Sequence, residues 1–193
     1  PGIEDGGVVS REWYEDWCDL DPEDATVHAA HAVNMLPGWY GSLSDFERAA
    51  KRSVRMTEAV TGKASYAVYH ITAAEALGDL SPTMDLELFV EAVQDYQAAT
   101  GCQHRANVAA YVLSGMAMNF RRDGQKAAYQ LTKTRAALSD VLWNRLREIQ
   151  MDCWTSRSES LAFAMAEVFG PALKRGARIV RRGEGLGTLV RRT

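Results

Sequence analysis

The thirteen residues Val108–Phe120, VAAYVLSGMAMNF, carry no charge and no proline. A helix of this composition is apolar nearly all round, so it must be covered on every side. It falls short of the roughly 20 residues a membrane helix needs. The covering therefore has to come from other protein segments, and the stretch predicts the central helix of a bundle. Ala110, Ser114, Gly115 and Ala117 are small enough for a neighbouring helix to approach closely.

The rest of the chain reads as the helices that do the covering. Asp21-Pro22-Glu23-Asp24 has a capping carboxylate, proline at the first helical position and acids for the first turn, predicting a helix to about Met35. Ser44 with Glu47 forms a capping-box pattern for a helix through Val60, closed by Gly62. Ala64–Leu77 reads as a helix, although Ser65–Ile71 is rich enough in aromatic and β-branched residues for a strand to compete. Ser81 and Pro82 open another, with a stripe of Leu86, Phe89, Val90, Val93 and Gln97, ended by Gly101. A long helix is expected over 125–150, and Ser156 with Glu159 caps one to Phe169. Pro171 starts a last short helix through Arg182, and glycine-spaced coil follows Gly183.

The expected class is all-α, a single-domain bundle of seven to eight helices with extended N- and C-terminal arms. Residues 1–20 form the acidic N-terminal arm with a short tryptophan-bearing helix, 21–170 the bundle core, and 171–193 a basic C-terminal helix and glycine-rich tail. No opening apolar stretch with basic flanks and no membrane-length apolar run is present, so no membrane partner is expected. The location expected is cytoplasmic or within a virion.

Charge is strongly polarised along the chain. Residues 1–24 hold nine acids against one base, Arg11, whereas 171–193 hold seven bases against Glu184 alone. In the acidic arm Trp13 and Trp17 are four apart, share a helical face and are expected to bury. The basic end supplies Lys174, Arg175, Arg178, Arg181, Arg182, Arg191 and Arg192. Arms of opposite sign suit head-to-tail contacts between copies, which close into rings or run on as filaments. Trp13, Trp17 and the basic tail are the assembly candidates.

A second basic feature lies inside the bundle. Arg48, Lys51, Arg52 and Arg55 recur at helical spacing on one side of their helix, with no acid interleaved, and so suit phosphate or an acidic partner. Arg121, Arg122 and Lys126 make a weaker cluster. These seven are the candidate contacts to an RNA or DNA backbone.

Catalytic signatures are thin. His28 and His31 lie three apart on one helix, half of a metal site with nothing to complete it, and read better as partly buried histidines. His70 and His104 are isolated, and Glu87 with Glu91 lacks the Glu-x-x-His partners of di-iron bundles. There is no Gly-x-Ser-x-Gly, and Gly183–Gly187 follows helix and coil where a phosphate loop needs a strand. Cys18, Cys102 and Cys153 are odd in number and widely spaced, which suits small buried thiols in a reducing compartment. No cofactor, metal or enzymatic activity is expected. The leading expectation is a self-assembling structural subunit of the viral or phage coat or connector kind, with basic surfaces for nucleic acid. The alternative is a helical ligand-binding or regulatory domain, monomeric or dimeric, with an apolar cavity.

Overall fold

The structure, a computed structural model, describes residues 3–78, 81–98, 102–154, 158–175, 178–182 and 185–189. The protein is all-α: the described residues form eight α-helices, and a two-stranded hairpin lies near the C-terminus. They gather into two compact units, Pro1–Ala99 and Thr100–Thr193. No described helix is long and apolar enough to cross a membrane.

The first unit holds α1 (Ile3–Leu20), α2 (Ala25–Asn34), α3 (Leu43–Thr61), α4 (Ala64–Leu77) and α5 (Leu86–Ala98). Its centre is α4, where eight consecutive residues, Ala64–Ile71, are buried while α2, α3 and α5 pack around them. The stretch that competed as a strand is thus a helix covered on all sides, which is why its pattern lacks a polar face. Phe46, Tyr66, Tyr69 and Phe89 are fully buried here, each contributing roughly 1.5–3 kcal/mol through burial.

The helix boundaries correct three sequence expectations. Asp24, not Asp21, caps α2, its Oδ1 accepting from Thr26 N at 2.8 Å, while Asp21 closes a turn onto Glu23 N. The capping box of α3 is Ser42 with Asp45, two residues earlier than Ser44 with Glu47. Glu47 is drawn instead to Tyr66 and His70. Helix α5 begins at Leu86, where Asp85 Oδ1 accepts from Leu88 N, while Ser81 and Thr83 close the turn before it. Gly62 ends α3 as expected, at φ 59°, and a Cβ there would lie 2.5 Å from Asp95 Oδ2, the atom that accepts from Lys63 N.

Helix α1 differs most from its expectation. The arm expected over residues 1–20 with only a short helix is, from Ile3 onward, one 18-residue helix that runs to Leu20. It docks through Ser10, Tyr14 and Cys18, one face at four-residue spacing.

The second unit is built on α6 (Gln103–Arg122), whose Ala106, Ala109, Ala110, Leu113, Met116 and Ala117 are buried as expected of a central helix. Gly115 has open space where a Cβ would stand, so the close approach is made by Ser114, which donates to Ser160 O at 2.7 Å. The long helix expected over 125–150 is broken. A 3-10 turn (Gly124–Ala127) leads into α7 (Ala128–Asp140), and one π-turn (Val141–Arg145) ends it. Two amides on α6 explain the break. Gln103 Oε1 accepts from Arg147 N (2.6 Å) and Glu148 N (3.0 Å), and Asn107 Oδ1 accepts from Gln150 N (2.9 Å). These bonds satisfy backbone that the helix would otherwise have paired.

Helix α8 (Ser158–Leu173) carries Pro171 in its last turn, where the chain was expected to restart. The expected helix to Arg182 and the coil beyond are replaced by β1 (Arg178–Arg182) and β2 (Gly185–Leu189), antiparallel, with Arg178 opposite Leu189 and Arg182 opposite Gly185. The expected stop at Gly101 and the Ser156–Glu159 capping box lie outside the described residues and side chains.

Candidate functional site

Helix α3 turns Phe46, Ala50, Ser53, Val54 and Thr57 inward, so the basic residues at 48, 52 and 55 must share the opposite side. With Arg11 of α1 they line one cleft of about 480 Å³, completed by Tyr14, His31, Met35, Tyr40, Asp45 and Ala49. Lys51 does not join them. It turns toward Glu47 (3.2 Å) and Asp85 (3.3 Å).

The acids missing from the sequence stripe arrive from the preceding turn of α3 and from α1. Arg48 pairs with Asp45, and Arg52 Nη2 lies 2.6 Å from Glu15 Oε1 of α1, which Arg11 also approaches at 3.9 Å. Asp45 is held below the ordinary carboxylate range, first by its bond from Ser42 and then by Arg48. Arg55 makes no ion pair with a described residue. Four guanidinium groups thus face two carboxylates, leaving a surplus of two positive charges at the cleft.

His31 forms part of the lining although only 2% exposed. Its ring lies under that of Tyr14, and its Nδ1 is engaged by the hydroxyl of Tyr69. Its Nε2 has no hydrogen-bond partner among the described residues. Burial, with the nearby His28 and Arg52, pushes the His31 pKa down to about 4, so the ring is neutral at pH 7. His28 has its own partners. Nε2 donates to Pro22 O at 3.0 Å, which leaves Nδ1 to accept the Tyr14 hydroxyl at 2.8 Å. The pair expected as partly buried histidines therefore divides: His28 is fully bonded, and His31, a lining residue of the cleft, keeps a buried Nε2 with no partner among the described residues. The sequence signal for this was only the i, i+3 spacing.

The remaining candidates lie elsewhere. Arg121 pairs with Glu167 at 3.2 Å, and Arg122 and Lys126 are exposed on the second unit. Trp13 and Trp17, expected to bury, pack on each other with centroids 6.0 Å apart and remain 43% and 38% exposed. The docking face of α1 belongs to Tyr14 and Cys18 instead. Lys174, Arg175 and Arg178 are exposed. The side chains of Arg181 and Arg182 on β1, and all of Arg191 and Arg192, lie outside what is described.

Other chemical groups are occupied structurally. His70 is fully buried with Nε2 3.2 Å from Glu47 Oε2, although neither ring nitrogen makes a well-formed hydrogen bond among the described residues, and Glu47 Oε1 accepts the Tyr66 hydroxyl. His104 Nδ1 lies 3.4 Å from Cys153 Sγ, but burial first, and then Asp152 and Cys102, push that thiol pKa up, the wrong direction for a nucleophile. Of the three free cysteines only Cys18 is fully buried; Cys102 is exposed. Among the described residues no group of three His, Cys, Asp or Glu side chains could hold a metal ion. Compared with family models, curated proteins and solved structures, the chain matches none.

Proposed function

We propose that this chain is a helical binding protein whose first unit takes an oxyanion-bearing ligand. The observation that carries this reading is the convergence of Arg11, Arg48, Arg52 and Arg55 on a single cleft with two carboxylates between them. Guanidinium groups are weakly hydrated, planar and permanently charged, which suits them to phosphate and carboxylate in a partly enclosed site. The reading keeps the ligand-binding alternative drawn from the sequence but makes its cavity basic instead of apolar. The experiment is a thermal unfolding series with pyrophosphate against an equal ionic strength of chloride. Stabilisation by pyrophosphate that disappears in Arg48→Ala/Arg55→Ala supports the reading, and equal midpoints in the two salts overturn it.

A second reading, the self-assembling subunit of coat or connector type, is favoured by the exposure of Trp13 and Trp17 on an acid-rich helix. Tryptophans left partly exposed by the described residues would serve as anchors for another copy, whose basic Lys174, Arg175 and Arg178 have the complementary sign. Contacts to an RNA or DNA backbone belong to this reading. Size-exclusion chromatography with light scattering at low and high salt tests it, and a salt-independent monomer rejects it.

A further inference from the structure

We propose that the ligand of the arginine cleft is a small phosphate monoester, its phosphate among the arginines and its organic body against the apolar part of the lining. This rests on the oxyanion reading above and narrows it to one chemical class.

Charge is the first argument. Arg11, Arg48, Arg52 and Arg55 against Glu15 and Asp45 leave two positive charges without a counter-charge. A phosphate monoester carries about −1.5 to −2 at pH 7, close to that surplus. A phosphodiester carries one charge and would leave the site half compensated. Asp45 faces the same cleft and would repel an anion, but the Ser42 hydroxyl and Arg48 already hold its carboxylate. Glu15 is likewise bound to Arg52.

Donor geometry is the second. Positions 48, 52 and 55 stand on successive turns of α3, and Arg11 comes from a different helix, so donors reach the cleft from two sides. A terminal phosphate has three oxygens to accept from them, whereas a diester has two. The buried His31 adds a fifth group. In the tautomer that accepts the Tyr69 hydroxyl at Nδ1, the neutral ring carries its proton on Nε2, the nitrogen that has no partner among the described residues. A phosphate oxygen would supply the acceptor that this N–H lacks among the described residues once the lining shifts to expose the buried nitrogen; a buried polar group left unpaired is otherwise costly.

Size and lining are the third. A volume of about 480 Å³ falls within the range of roughly 300–1,000 Å³ typical of small-molecule sites. Met35 and Ala49 contribute apolar lining to the cleft, and the half-exposed Tyr40 adds an aromatic side chain to it.

Titration calorimetry on the full chain with phenyl phosphate, methyl phenyl phosphate and inorganic phosphate tests the proposal. Phenyl phosphate is expected to bind about ten-fold tighter than the diester, the worth of one charge-assisted hydrogen bond. It should also outbind inorganic phosphate. Arg55→Ala is expected to weaken phenyl phosphate about ten-fold with an unchanged melting temperature, since Arg55 is exposed and no described residue depends on it. His31→Gln probes the buried donor, and Arg55→Ala keeps the test decisive should that variant not fold. Equal affinity for the two esters, with both lost in Arg48→Ala/Arg55→Ala, overturns the monoester while leaving oxyanion binding intact. Equal affinity for phenyl phosphate and inorganic phosphate overturns the ester. Binding of none of the three, or binding indifferent to the arginines, removes the oxyanion reading as well.

Discussion

The ring of Tyr14 lies over that of His31 with centroids 4.0 Å apart and planes within 6°. The same tyrosine gives its hydroxyl proton to His28, so one α1 side chain fixes both α2 histidines. Docking of the acidic helix and the state of the cleft are therefore coupled, through Tyr14 at the histidines and through Arg11 and Glu15 at the arginines. Tyr14→Phe keeps the stack and removes the hydroxyl, leaving His28 Nδ1 buried without a donor. A loss of about 1–3 kcal/mol is expected from urea unfolding, whereas Tyr14→Ala should cost roughly 3–5 kcal/mol as the cavity is added.

The two histidines give the fold a pH dependence of known sign. Burial lowers both, His31 to about 4 from an ordinary value near 6.5. Between those limits the unfolded chain binds protons that the folded ring refuses, so stability is full above pH 6.5 and falls as the pH drops toward 4. For His31 the loss is on the order of 3 kcal/mol. Urea midpoints at pH 7 and pH 4.5, at constant ionic strength, should show the decline. His31→Gln should flatten most of it, with His28 and the depressed carboxylates of Asp24, Asp45, Glu47 and Asp85 accounting for the remainder; an unchanged slope would show that His31 is not the group responsible.

The sequence made helices legible wherever two signals agreed. Val108–Phe120 is central to its unit because no face of it is polar, and Ala64–Leu77 proved to be its counterpart in the first unit for the same reason. Cap positions slipped by two to four residues where several capping side chains compete, as among Asp21, Asp24, Ser42 and Ser44. The break after Asp140 carried no glycine or proline, since its cause is a pair of amides on a distant helix, Gln103 and Asn107. Helical spacing found Arg48, Arg52 and Arg55. It could not separate Lys51, which leans to Asp85, or add Arg11 and His31, because those choices depend on which helices pack together.

Gly62 combines a positive φ with a blocked Cβ position. Gly62→Ala must strain the backbone and displace Asp95, which accepts from Lys63 N at the entry to α4. The cost expected is about 1–3 kcal/mol, read as a lower urea midpoint. Gly78→Ala gives the cost of alanine in an ordinary left-handed position with open space, so the excess at position 62 reports its ψ of −135° together with the Asp95 contact.

Asn107 holds the second unit's irregular segment. Its Oδ1 accepts from Trp154 Nε1 at 3.0 Å and from Gln150 N, and its Nδ2 donates to Glu148 O at 2.8 Å and to Gln103 O. Asn107→Leu fills a similar volume but leaves a buried indole N–H and loop backbone groups unpaired, so about 2–4 kcal/mol is expected to be lost. Asn107→Asp keeps the acceptor and sacrifices the donor, and it should fall between the wild type and Leu. Hydrogen exchange separates a local effect from a global one. Faster exchange confined to Arg147, Glu148 and Gln150 would mean that the amide pins only the loop, whereas uniform acceleration across α6 and α8 would make Trp154 and its partner the keystone of the unit's core.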